Sequence, residues 1–397
     1  MPPAAPGPAK EEAAADWPRL FHYAGFDIDR FTSVPPRVTP PVYADARAAW
    51  QGTYPGRPDV PIRVEAAAFA GTPVHFAIFE PWNEPEQRGA GAPTGGGWVI
   101  DVLLPATFMG MLVAAVFLAG RNLRAGRGDR RGAGRVGTFL FFLILASGLF
   151  GADHAPGFGP FMNILFLVLA QALTLAVVVV AVYLALEPYV RRRWPHALIG
   201  WNRLLWGRWR DPRVGRDMLA GAALGVGVQL VFQVAQMVSP GQVGAAAKIW
   251  MLDGFRFAWS WLASEMWAAL LLSLGTVLLL FLLALVVRRF SVAALLVLLF
   301  FGASGAAGSP GSPWAGGLFN VVAMGALMFG LFRFGLLTLV VATFVNNAID
   351  VYPLTFDPSR WFAPFGFLIL ALAFGLALYG AWHAGAMKNA TGRLLAH

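Results

Sequence analysis

Residues 160–186, PFMNILFLVLAQALTLAVVVVAVYLAL, decide the fold. The run carries no charge and no polar face of helical period, so it does not read as a surface helix of a soluble domain. Crossing a hydrocarbon core of roughly 30 Å takes about 20 helical residues, and this stretch supplies them. Eight further apolar runs lie around it, at 98–119, 136–151, 217–238, 260–287, 290–305, 317–332, 334–350 and 361–385. The fold class expected is mainly α: a polytopic membrane helix bundle of about nine spans over 97–397. Phe332-Arg333-Phe334-Gly335 reads as a tight helical hairpin turn; without it, 317–350 is one helix and the count is eight. Composition agrees, with 57% hydrophobic and 13% charged residues and a mean hydropathy of +0.61, against about 25% charged in soluble domains.

The first 96 residues differ. Residues 1–16 are Pro/Ala-rich and read as a disordered lead-in, not a signal peptide, since no apolar core follows the start. Residues 17–96 read as a small extracytoplasmic α+β segment. Ala44–Trp50 is expected as a short helix. Pro61–Phe69 and Pro73–Phe79, joined by Ala70-Gly71-Thr72, are expected as a β-hairpin. Its apolar face (Ile62, Val64, Val74, Phe76, Ile78) is small for a hairpin standing alone. Glu80–Gly97 reads as a Pro/Gly linker.

Loop charge sets the expected orientation through the positive-inside rule. Arg121, Arg124, Arg127, Arg130, Arg131 and Arg135 occupy one loop, and eight arginines from Arg191 to Arg216 the next but one. With nine spans, Arg288, Arg289, Arg333, Lys388 and Arg393 join them, giving nineteen basic residues on that side against Lys248, Arg256 and Arg360 opposite. The localisation expected is the bacterial inner (plasma) membrane, multi-pass, with residues 1–96 extracytoplasmic and the C-terminus cytoplasmic. Export of residues 1–96 then needs a first span acting as a reverse anchor, or a span preceding residue 1 in a longer protein.

Cysteine is absent, which excludes disulfides, thiolate metal sites and cysteine nucleophiles. The pI near 10.4 does not imply nucleic acid, because the arginines sit in loops tied to spans.

Leu186–Asp217, LEPYVRRRWPHALIGWNRLLWGRWRDPRVGRD, resembles a segment in the C-terminal membrane region of large bacterial transmembrane serine/threonine protein kinases of the acidobacterial type. Pro41–Glu65 looks like their extracytoplasmic segment and Arg121–Gly132 like the first cytoplasmic loop after it; the resemblance covers roughly 17–240. It implies a cytosolic kinase domain, in the same or a separate chain, ahead of a span and this membrane region. The chain itself has no Gly-rich loop with a strand lysine, no H-R-D-x-x-x-x-N and no D-F-G. Leu224-Gly225-Val226-Gly227 lies inside a span and cannot cradle a phosphate. Phe332–Asn347 bears a fainter similarity to the last motif of CAAX-endopeptidase-like intramembrane metalloproteases. Thr343 stands where that motif's histidine would be, and the paired glutamates that hold the metal are missing.

Two groups of candidate residues follow. The first is the Arg/Trp loop, with Arg191, Arg192, Arg193, Trp201, Arg203, Trp206, Arg208, Trp209 and Arg210. It is expected to form a membrane-lying helix over about Pro195–Arg210, contacting anionic lipid headgroups or a docked kinase domain. The bland alternative is a positive-inside loop with aromatic anchors. The second group is polar within or beside spans: Glu265, placed in a first helical turn where it complements the dipole, and Asn346, Asn347 and Asp350, a cation or polar-ligand site or else a cap. No catalytic, cofactor or metal set is recognisable, and Asp153-His154 alone is too little for one. The function expected is a non-catalytic membrane sensor or anchor region related to kinase signalling; the alternatives are a small-solute transporter or channel and an inactive protease-like protein.

Reporter fusions test the orientation: a fusion at Gly91 should report an extracytoplasmic position and one at His397 a cytoplasmic one. Alkaline phosphatase activity at His397 excludes the nine-span arrangement. The purified chain should neither bind ATP nor autophosphorylate.

Overall fold

The computed structural model describes residues 15–40, 43–54, 57–79, 97–154, 157–238, 254–307, 309, 312–352, 354–355, 357–360 and 362–385. They belong to two compact units, Met1–Thr94 and Gly95–His397. The lead-in up to residue 14, the linker apart from Gly97, and Lys248, Lys388 and Arg393 lie outside the described residues.

The first unit holds α1 (Trp17–Tyr23), a 3-10 turn (Ile28–Arg30) and strands β1 (Thr32–Val34), β2 (Ala46–Tyr54), β3 (Arg57–Phe69) and β4 (Thr72–Phe79), antiparallel and ordered as in the chain. Asp16 caps α1 by accepting the Arg19 N–H at 3.2 Å. The hairpin forms where expected. Its turn places Ala70 (φ 49°) and Gly71 (φ 74°) in the left-handed region, as a two-residue turn matched to strand twist requires. Two expectations are corrected. Ala44–Trp50 is not helical: from Ala46 it forms β2, hydrogen-bonded to β1 on one side and β3 on the other. Its alanines favour helix, but local propensity is worth only tenths of a kcal/mol per residue and yields to this pairing. Val74 is not on the buried face; the register shifts between Ala67 and Ala68, and Val74 is exposed.

The missing apolar surface comes from α1, the 3-10 turn and β2. Phe21 is wholly buried, with Trp50, Phe31 and Phe76 edge-on at 5.0, 5.1 and 5.8 Å. Glu65 is buried beside this core, and burial pushes its carboxyl up. The Arg37 N–H (2.9 Å), the Arg63 guanidinium (2.7 Å) and the Val38 N–H (2.8 Å) outweigh that and hold it below the usual carboxylate range.

The second unit holds α2 (Gly97–Arg124), α3 (Arg130–Gly151), α4 (Phe158–Arg193), α5 (Ile199–Leu205), α6 (Pro212–Val238), α7 (Phe255–Val287), α8 (Phe290–Ala307), α9 (Pro313–Arg333), α10 (Leu336–Val351) and α11 (Ala363–His383). All nine apolar runs lie on helices. Eight are long and apolar enough to cross a membrane; α10, with 16 residues, measures about 24 Å. Large apolar side chains such as Phe117, Phe142, Phe166 and Phe374 face outward, as they do where the solvent is lipid. The chain is a multi-pass membrane protein.

α10 is the interior element, with twelve of its sixteen residues buried. It starts beside Ala197 and Asp217, where the Thr338 hydroxyl donates to the Asp217 carbonyl at 2.9 Å. It ends where the Tyr352 hydroxyl donates to the Ala258 carbonyl at the start of α7, 2.5 Å away. Short as it is, α10 runs from the arginine-rich end of the bundle to the opposite end. α11 then returns, and Gly380 packs on Gly215 of α6. The expected turn at 332–335 is present, and Gly335 (φ 121°) lies so close to the Ala197 carbonyl that a Cβ would come within 2.5 Å.

Lipid tails are as apolar as leucine, so helix association here relies on close packing. α6 supplies it: a Cβ on Gly221 would meet Val341 at 2.7 Å and one on Gly225 the Ala342 carbonyl at 2.6 Å. Gly227 faces open space. Gly225→Leu should lower the thermal midpoint of the detergent-solubilised chain, at a cost of about 2 kcal/mol or more, whereas Gly227→Ala should leave it nearly unchanged. Glu65→Gln should destabilise the first unit by roughly 3 kcal/mol, because buried Arg63 loses its counter-ion and keeps only the Pro35 carbonyl as a charge-free partner.

Candidate functional site

The arginine-rich end of the bundle is closed by residues 194–211. α4 does not stop at Leu186, where its apolar run ends, but continues to Arg193. Glu187 is buried there and pairs with Arg191 one turn on, at 2.5 Å. Three consecutive helical residues point in three directions, so Arg191, Arg192 and Arg193 form no single patch. Arg191 turns back to Glu187, Arg192 is exposed, and Arg193 borders a cleft between α4 and α7.

Beyond Trp194 the chain makes a 3-10 turn (Pro195–Leu198) and then α5. A membrane-lying helix over Pro195–Arg210 is not what forms: helix ends at Leu205, and Gly207 (φ 77°) opens a turn that leads to α6. The inner face of this segment is packed into the bundle. Ala197, Leu198, Gly200 and Trp201 are buried, with Trp201 only 4% exposed. Trp201 is therefore a core residue and not a lipid contact.

Five elements hold the segment. Tyr183 of α4 donates to Asn202 at 3.5 Å. Arg135 of α3 donates to the Leu205 carbonyl at 2.8 Å, and Tyr379 of α11 to the Trp209 carbonyl at 2.9 Å. Gly200 lies directly against the buried carboxylate of Asp217 on α6. Ala197 meets the α9–α10 turn at Gly335. Trp194 adds an aromatic triad, with Phe290 at 4.7 Å, Phe332 at 4.9 Å and 5.5 Å between those two. Phe334 lies under two guanidinium groups, Arg216 at 5.6 Å and Arg333 at 5.5 Å.

What stays outside is the tip. Trp206 and Trp209 are 66% and 61% exposed, and Arg208 and Arg210 are exposed beside them. Arg203, expected on the same surface, instead turns to Asp211 at 2.6 Å and staples the tip closed. Burial pushes the Asp211 carboxyl up, but the Arg213 N–H (2.9 Å) and Arg203 outweigh it and hold it below the usual range.

The second expected group is only partly brought together. Glu265 is not in a first turn: α7 begins at Phe255, so Glu265 lies about 15 Å along the helix, and the dipole account of it fails. It is buried, near Tyr352. Asn346 donates to Asn347 at 3.3 Å. Asp350 accepts from Gln229 of α6 at 3.3 Å. Gln229 is 3% exposed, and its carbonyl oxygen and that of Asn346 are buried without a hydrogen-bond partner. The sequence reading missed Gln229, though an amide deep in an apolar run was its signal. Glu187 and Asp217 were missed because they sit where loop and span meet and read as ordinary ends.

Thr343 is buried on α10, and among the described residues no group of three His, Asp or Glu side chains stands close enough to share a metal ion. No protein-family model, no curated protein and no solved structure matches the chain.

Oxidative footprinting of the folded chain at neutral pH should modify Trp206 and Trp209 and spare Trp201. Asp211 has a folded pKa below its ordinary value of 3.8, so its staple is fully present above that value and is lost as pH falls through the lower one. The footprint should therefore be unchanged at pH 5 and loosen at the tip only below about pH 4.

Proposed function

We propose that the chain is a non-catalytic membrane sensor or anchor region of the kind joined to bacterial transmembrane serine/threonine kinases. In this reading it lies in the inner membrane, with residues 1–96 extracytoplasmic and the Arg/Trp segment and C-terminus cytoplasmic. One observation carries the reading: residues 194–211 are fixed by α3, α4, α6, α11 and the α9–α10 turn, yet present an exposed basic and aromatic tip. A tilt or shift of any of these helices moves the tip. That is what a region reporting the state of its spans to a cytosolic domain needs. The tip suits anionic headgroups, where each cation contributes about 1 kcal/mol, and equally a kinase domain resting at the inner leaflet.

The test is co-purification. A kinase domain encoded in frame upstream, or in an adjoining gene, should co-purify with the full chain. Exchanging Trp206 and Trp209 for Ala and Arg208 and Arg210 for Gln should weaken that association about tenfold without moving the thermal midpoint. A kinase gene absent from the neighbourhood, or association indifferent to the four substitutions, overturns the reading.

A second reading, passage of a small polar solute or cation, is supported by the unpartnered oxygens of Gln229 and Asn346 inside the bundle. Flux into proteoliposomes abolished by Gln229→Leu would favour it over the first.

A further inference from the structure

A cleft of about 310 Å³ opens at the arginine-rich end between the last turns of α4 and α7 and the start of α8. Its walls are apolar: Leu280, Phe281 and Ala284 from α7, and Tyr189 from α4, whose ring stacks on Phe281 at 4.6 Å. Arg193 and Arg288 also line it. Among the described residues neither guanidinium has an ion-pair or hydrogen-bond partner, although nearby Arg191 and Arg203 are each paired with a carboxylate. Arg288 is also one of two non-glycine residues with positive φ among those described, at 61°. It closes α7, its N–H donating to the Ala284 carbonyl. Glycine is the usual residue at such a cap, and strained backbone kept at an arginine suggests that its side chain is needed there.

We propose that this cleft binds one anionic phospholipid, its phosphate held by Arg193 and Arg288 and the upper part of an acyl chain lying along Leu280, Phe281 and Ala284. The chemistry favours this occupant. Two unpaired guanidinium groups match a phosphodiester. An apolar wall formed by Phe281 and Ala284, with Leu285 and Val286 exposed in the same last turn of α7, matches a chain and not a soluble anion. The volume, at the small end for ligand sites, takes a headgroup and the first methylenes. The inference concerns a different surface from the 206–210 tip and does not depend on the kinase reading or on membrane orientation, because the lipids are offered to the detergent-solubilised chain.

The experiment is native mass spectrometry and thermal unfolding of the full chain in neutral detergent. Phosphatidylglycerol or phosphatidylcholine of identical acyl chains is added. One phosphatidylglycerol should be retained per chain and should raise the midpoint more than phosphatidylcholine does. Exchanging Arg193 and Arg288 for Gln should weaken that preference roughly thirtyfold. Exchanging Arg121 and Arg124 for Gln removes the same charge elsewhere and should leave it intact. Arg288→Gly separates charge from strain: the lipid-free chain should unfold no earlier than wild type, yet show a weaker preference. Ala284→Leu, filling the wall, should weaken both lipids. Equal binding of the two lipids, preference surviving the loss of both arginines, or glycerol phosphate competing as well as the intact lipid would each overturn the proposal.

Discussion

Everything at the arginine-rich end depends on how closely α6 approaches α10. Glycine at 221 and 225 lets the two backbones come together, in a solvent that gives helices no hydrophobic reason to associate. That contact holds α10 inside the bundle. Its position sets Gly335 under Ala197 and Thr338 against the Asp217 carbonyl, and the 194–211 segment is seated on those two points. A third glycine of the same helix, Gly215, admits the end of α11, whose Tyr379 holds the tip. Packing within the membrane and the shape of the exposed surface are one problem solved by the small residues of one helix.

The polar groups follow the same economy. A hydroxyl or amide inside a bundle must find a partner in the protein, since lipid offers none. Ser260 donates to the Ser147 carbonyl at 2.6 Å, Tyr352 to Ala258, and Asn122 to Leu184 at 2.9 Å, each joining helices distant in the chain. Buried polar side chains here act mainly as ties between backbones. The open oxygens of Gln229 and Asn346 and the Ser273 hydroxyl stand out against that background.

The spans were legible in the sequence because hydrocarbon imposes a length and forbids charge, and both can be counted directly. The hairpin at Phe332–Gly335 was legible because one arginine and one glycine interrupt an apolar run. Helix ends were less so. α4 outlasts its apolar run by seven residues, from Leu186 to Arg193, because the Glu187–Arg191 pair extends the helix where hydropathy has already fallen. α7 begins at Phe255 and not near 260, which moved Glu265 from an end to the interior. Of the candidate tip, Trp206, Arg208, Trp209 and Arg210 lie where a basic aromatic surface was expected. Trp201 and Arg203 do not, because facing inward is decided by Gly200, Asp217 and Asp211, and tertiary contacts leave no mark on local composition. The same holds for β2, whose alanines say helix and whose neighbours make it a strand.

Helix length carries a consequence of its own. α4 and α7, with 36 and 33 residues, measure about 54 and 50 Å, far beyond a hydrocarbon core of roughly 30 Å, whereas α10, with 16 residues, is largely buried inside the bundle. Excess length is taken up by tilt. The two long helices therefore have length to spare that α10, packed against α6, α7 and α9, does not. α4 ends in Arg193 and α7 is capped by Arg288, so the surplus length of both helices carries the two guanidinium groups that border the cleft between them.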